Sequence, residues 1–252
     1  MSVYLAEWLK LKRSPIKSLP LITSIVFSIL LVGYFSLREK TSIVPVQVCK
    51  VFLEVWSIMV IPMGIGILSG FMIHQEELAG GLNGLLGSKA SRVQIYIGKF
   101  LMILLLTTIS ISLAIIIFVV GLYYIVGISL HVPIFIQANM MIQTGILPLI
   151  ALHLWISLAW GMGASISVGG SGILLSALMN TSLGDKIWYY IPWGWPVRLS
   201  IVSLHSLSSD KNLPYLFDEM IKGMISVAVF FIILFIGGTL WFHRWEGRKV
   251  YD

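Results

Sequence analysis

The chain has one cysteine, Cys49, and very little charge. A lone thiol excludes an intrachain disulfide and a thiolate metal site. Charged residues make up 11% of the sequence, where an average soluble domain carries about 25%. From Phe100 to Gly184 there is no Asp, Glu, Lys or Arg, a run of 85 residues. A soluble protein of this size must cover its outside with polar groups, so this composition excludes that class. The uncharged run alone is long enough for three membrane crossings at about 20 residues each. Catalytic patterns are also missing. No H-E-x-x-H occurs, and Glu54 has no second acid within an apolar stretch to pair with. His153 has no marked nucleophile turn nearby and reads as a packed or pore-facing polar residue. The glycine-rich run Gly80-Gly81-Leu82-Asn83-Gly84-Leu85-Leu86-Gly87-Ser88-Lys89 places Ser88 between its last glycine and the lysine. A phosphate-binding P-loop needs the lysine directly after that glycine and a strand before the run. The expectation is a non-enzymatic chain with no catalytic residue, no metal site and no cofactor of its own. No small-x-small cleavage site follows the first apolar run, so no removable signal peptide is expected.

What is present is apolar sequence in long runs. Hydrophobic residues are 58% of the chain and the mean hydropathy is +0.94. The runs predict an all-α polytopic membrane protein, a single permease domain over 1–252. Its six spans lie at about 18–36, 51–73, 100–127, 140–160, 164–183 and 221–242. Pro148 is expected to kink the fourth span. The fourth and fifth spans meet near Gly161-Met162-Gly163 and must form a tight helical hairpin. Before the first span, Leu5, Trp8, Leu9 and Lys12 share one helix face, while Glu7 and Lys10 point elsewhere. This spacing predicts a short amphipathic helix on the membrane surface, ended by Ser14-Pro15.

The net charge is +6. The cations flank apolar runs, as juxtamembrane Lys and Arg do, so no nucleic-acid partner is expected. An even number of spans puts both termini on one side. That side holds Lys10, Lys12, Arg13, Lys17, Lys89, Arg92, Lys99, Arg244, Arg248 and Lys249, ten cations against seven on the other. Cation-rich loops stay cytoplasmic, so both termini are expected inside a bacterial plasma membrane.

The loop between the second and third spans carries the most information. Leu78, Leu82, Leu85 and Leu86 recur at helical spacing, and Glu76 and Glu77 are read as opening that helix, where the dipole favours acids. Ser88 or Ser91 can cap the next helix, running through Arg92 and Lys99 into the third span. The pattern Gln75-Glu76-Glu77-Leu78-Ala79-Gly80, then Asn83, Leu85-Leu86, Ser91-Arg92 and Gly98-Lys99, resembles the ABC-2-type exporter permeases. Within them it is most similar to the lantibiotic immunity permeases, the mutacin/epidermin-type E and G subunits. The tail Trp241-Phe242-His243-Arg244-Trp245-Glu246-Gly247-Arg248-Lys249 also fits. The resemblance implies a two-permease core, homologous or identical, bound to two copies of a cytoplasmic ATPase that uses ATP and Mg. It implies export of a cationic antimicrobial peptide outward from the membrane, giving self-immunity. Glu76, Glu77, Leu78, Leu82, Leu85 and Leu86 would then be the ATPase-coupling residues, braced by Leu5, Trp8 and Leu9.

Two further segments stand out. Between the fifth and sixth spans, Trp188, Tyr189, Tyr190, Trp193 and Trp195 sit among prolines. They suit the headgroup level and are the candidates for a re-entrant or interfacial segment touching an exiting peptide, by cation–π contact among others. In the fifth span, Gly161, Ser165, Gly169 and Gly172 form a small-residue face that lets helices approach closely. Packing within the chain and packing across a permease dimer both fit it, and in the resembled family this helix lies near the subunit interface. Two other functions remain open: an ABC-2-type exporter of another antibiotic or lipid, and a non-transporting sensor or scaffold.

Overall fold

The computed structural model describes residues 7–10, 15–39, 44–79, 87, 90–207 and 213–247; the side chains of Pro15, 205–207 and Leu213 are not described. Among these residues the structure is all-helical. Six helices are long and apolar enough to cross a membrane: α1 (Ser18–Ser36), α2 (Pro45–Leu78), α3 (Arg92–Val126), α4 (Val132–Trp160), α5 (Met162–Met179) and, after a shorter α6 (Trp195–Leu207), α7 (Leu213–Arg244). The chain is therefore a multi-pass membrane protein. Residues 7–10 are also helical. Its amphipathic partner Leu5 lies outside the described residues.

The spans differ from the expected ones at their ends, for local reasons. α2 begins at Pro45, where proline's fixed φ and missing N–H suit a first turn, and it keeps Lys50 and Glu54 as an i,i+4 pair at 3.8 Å. α5 stops at Met179, before Asn180-Thr181-Ser182, rather than at 183. α2 also widens to a π turn over Trp56–Val60, where the Ile61 N–H reaches back to the Trp56 carbonyl. Pro62 follows at once and cannot donate to Ile58, so the ladder is re-spaced there. α4 runs unbroken through Pro148. Ser91 caps α3: its hydroxyl accepts from the Gln94 N–H and the Gln94 side chain accepts from the Ser91 N–H, both at 3.2 Å. This reciprocal box satisfies two otherwise orphaned donors.

In lipid there is no hydrophobic force to bring helices together, so close contact and interhelical hydrogen bonds do so. α1 and α3 run side by side: Ser24 donates to the Ser110 carbonyl at 2.7 Å, and Ser28 to that of Ala114 at 2.9 Å. α2 and α5 touch backbone to backbone. A Cβ on Gly66 would lie 2.7 Å from the Ser165 carbonyl, and one on Gly169 would lie 2.8 Å from that of Pro62. Ser165 donates to the Gly66 carbonyl at 2.9 Å and meets His153 Nδ1 at 3.0 Å, tying α2, α4 and α5 together. The face of Ser165, Gly169 and Gly172 thus packs inside this chain. Gly161 alone joins α4 to α5, with φ 91°, a conformation that side chains rarely adopt.

Candidate functional site

Four charged side chains meet at the end of the bundle where α2 finishes and α3 begins. Lys99 Nζ lies 2.7 Å from Glu76 Oε1 and 3.1 Å from Glu7 Oε2; Lys10 Nζ lies 2.7 Å from Glu76 Oε1 and 3.1 Å from Glu7 Oε1. The two carboxylates and two ammoniums alternate in a closed ring of zero net charge. The ring has an inside and an outside. The Lys99 side chain is 2% exposed and that of Lys10 is 47% exposed. Burial opposes the charge on Lys10, yet the hydrogen bond to Glu76 and the nearby charges of Glu7 and Glu76 outweigh it and raise its pKa. Removing one partner of a buried ion pair strands the other and costs about 3–5 kcal/mol.

The ring joins three separate pieces of chain. Glu7 and Lys10 bring in residues 7–10, Glu76 the last turn of α2, and Lys99 the second turn of α3. Glu76 and Glu77 do not open a loop helix, as the sequence suggested. They close α2, which runs on to Leu78. An acid in a last helical turn faces the negative end of the dipole, and the two ammoniums offset that cost for Glu76. Glu77 pairs instead with His74 Nδ1 at 3.0 Å. Leu78 is 75% exposed; Leu82, Leu85 and Leu86 lie outside the described residues. Trp8 and Leu9, on the helical stretch with Glu7, are partly exposed. The same end also receives the last helix: the Arg92 guanidinium donates to the carbonyls of Phe242, His243 and Trp245, the His243 contact at 2.9 Å. These carbonyls lie in the last turn of α7 and just past its end, where the chain offers few backbone donors.

Glu7 was not a candidate from sequence, and Lys99 was only a flanking cation. The available signals were position and isolation. Glu7 is the only acid in the basic N-terminal segment, and Lys99 is the last charge before the long uncharged run.

A sequence model described as ABC-2 family transporter protein matches residues 4–168. The chain belongs to the ABC-2 transporter family. The match spans all four ring residues and the helices that carry them. No curated protein and no solved structure matches the chain. As an ABC-2 family member it is a transmembrane transporter subunit, a class that is typically non-catalytic, and the family implies an ABC ATPase as partner.

At the opposite end, the ABC-2 chain holds its aromatic segment largely inside. Three single-turn 3-10 helices, Ser182–Gly184, Trp188–Tyr190 and Pro192–Gly194, lead into α6, which packs against α4 and α7. Trp188 and Trp195 are fully buried. The Trp188 ring covers Gly223 of α7, where a Cβ would lie 2.4 Å away, and Trp193 covers Gly172 of α5 in the same way. Tyr189 donates to Glu219, and its pKa is raised by burial first and by this contact second. Trp195 Nε1 donates to the Tyr189 carbonyl at 3.1 Å. Arg198 donates to the carbonyls of Met179 and Thr181 and pairs with Asp185 at 2.8 Å, closing the end of α5. Of the five aromatics, Tyr190 alone is exposed by more than half, at 67%. The buried rings of Trp188 and Trp195 offer no face to a passing peptide in this conformation.

Proposed function

We propose that this subunit exports a lantibiotic, a cationic antimicrobial peptide, from a bacterial plasma membrane, with both termini and the Glu76 end cytoplasmic. Two ATPase copies would dock there, and a second permease would complete the core. The observation that carries the coupling part is the shared carboxylate of Glu76. It ends α2 directly before the leucine-bearing loop and is bound to both the surface helix and α3. ATP hydrolysis in a soluble partner reaches the bilayer only through contacts of this kind, made by elements that can take more than one arrangement. The cargo part rests on the loop pattern beginning at Gln75-Glu76-Glu77 and on the ten-to-seven cation bias for orientation. For the second permease, α5 offers a free outward face of small residues. Gly163 and Gly170 have no heavy atom within reach of a Cβ, and Ser167 and Ser171, one helical turn after Gly163 and directly after Gly170, are exposed.

The test is co-expression with the candidate ATPase, followed by co-purification and peptide-stimulated ATP hydrolysis. Leu82→Asp or Leu85→Asp should abolish peptide resistance and ATPase capture while the permease still inserts, because a buried docking anchor is worth about 2 kcal/mol or more. Retained resistance and capture would place the coupling elsewhere. In a Cys49→Ser background, a cysteine at Ser91 should be shielded from an impermeant thiol reagent in intact cells and one at Ser182 should react. The reverse result overturns the orientation.

A further inference from the structure

A groove of about 470 Å3 runs between residues 7–10, α1 and α3, and it is lined by Trp8, Lys17, Pro20, Leu21, Leu106 and Ile109 among others. The Ser24–Ser110 and Ser28–Ala114 contacts fix the register of the two helices. In that register Lys17 sits at the ring end of the groove, level with Ile103, and Leu21 and Ile109 lie further into the bilayer. We propose that this groove is a binding site for an anionic phospholipid, with one acyl chain along Leu21, Leu106 and Ile109 and the phosphate beside Lys17 and the Trp8 indole.

The argument rests on what distinguishes this groove from the rest of the lipid-facing surface. An acyl chain gains little by leaving one hydrocarbon environment for another, so selectivity must come from the headgroup. Lys17 is exposed and has no ion-pair partner among the described residues, whereas Lys10 and Lys99 nearby are consumed by Glu7 and Glu76. An unpaired cation at the mouth of an apolar groove between transmembrane helices fits an anionic headgroup. A zwitterionic lipid would bring its own ammonium toward Lys17, and a cationic peptide would be repelled by it. Trp8 is 45% exposed and its ring suits the interfacial level. Because Glu7 is locked into the ring, Trp8 is held in place over the groove rather than free to swing away. A bound lipid would therefore brace the surface helix against α1 and α3 from the membrane side.

The test uses the full chain purified in detergent, with retained lipids counted by native mass spectrometry after titration with phosphatidylglycerol or phosphatidylcholine. The wild-type chain should hold one phosphatidylglycerol about fivefold more tightly than phosphatidylcholine, the effect of one cation near an anionic surface. Lys17→Gln, at an exposed position, should erase that preference without lowering the melting temperature. Lys222→Gln, an exposed lysine on α7, should leave it intact. Leu106→Trp, which fills the groove, should reduce retention of both lipids. The proposal is overturned if the wild type shows no preference, or if Lys17→Gln keeps it. None of these readouts depends on the cargo or on an ATPase.

Discussion

The two ends of this bundle solve the same problem with opposite chemistry. At one end a surface segment is held to the transmembrane core by four alternating charges. At the other, a folded-back segment is held by buried indoles lying over glycines. A ring packed on a glycine is a shape fit: it has one arrangement, and losing it leaves a cavity. An ion ring has more latitude. Glu76 Oε1 serves two ammoniums at 2.7 Å each, so either contact can lengthen while the carboxylate keeps a partner. The aromatic end is suited to stay fixed and the charged end to change its pairing. That is the division of labour expected of a transporter subunit driven by a soluble partner at one face only.

This contrast can be broken by substitution. The largest effect is expected at the fixed end: Trp188→Ala should cost about 3–5 kcal/mol, as loss of a buried aromatic does. Melting temperature and membrane abundance should fall together. Lys99→Ala comes close behind at about 3 kcal/mol or somewhat more, since it strands two carboxylates with one half-exposed lysine. Its mark of distinction is partial rescue by Glu7→Gln, which removes one stranded charge; no second substitution of polarity should rescue Trp188→Ala. A thermal-shift series over the three variants decides this. Lys10→Ala should cost only about 0.2–1 kcal/mol, and its effect should shrink in high salt while that of Lys99→Ala does not. The smallest stability change belongs to Tyr190→Ala, within about 0.5 kcal/mol at an exposed position. If Tyr190→Ala nevertheless lowers peptide tolerance at normal abundance, the exposed rim of the aromatic segment handles cargo and its buried part only anchors.

Much of this architecture was legible in the sequence, and the illegible part has a physical explanation. Hydropathy located all six spans because the bilayer demands long apolar runs. It missed the start of α2 because Lys50 and Glu54 lower the local average, although they pair on one helix face. The cap at Ser91 could be read because capping is local. The helix ending at Leu78 was misread because acids usually mark beginnings, and the cations that let Glu76 sit at an end are remote. Lys99 is 23 positions away in sequence and Lys10 is 66. The aromatic cluster at 188–195 stood out by composition, but composition does not say which rings turn inward. Trp188 turns inward because Gly223 leaves room for its ring, and Trp195 packs edge-on against Phe230 of the same helix; that complementarity belongs to no single stretch of chain.

The ring also sets a schedule for biogenesis. Glu7 and Lys99 are separated by 92 positions, and a chain grows by about 5–20 residues per second. For roughly 5–20 s after Glu7 is added to the chain, Lys99 has not been made, and Lys10 is the one ring cation beside it. During that interval the first two spans can already be threading into the bilayer, with the N-terminal segment still at liberty on the surface. It settles only when the start of the third span arrives. The nascent protein thus carries a latch that closes late, and a subunit whose third span enters wrongly leaves that latch open, with two carboxylates sharing Lys10 alone in view of membrane quality control.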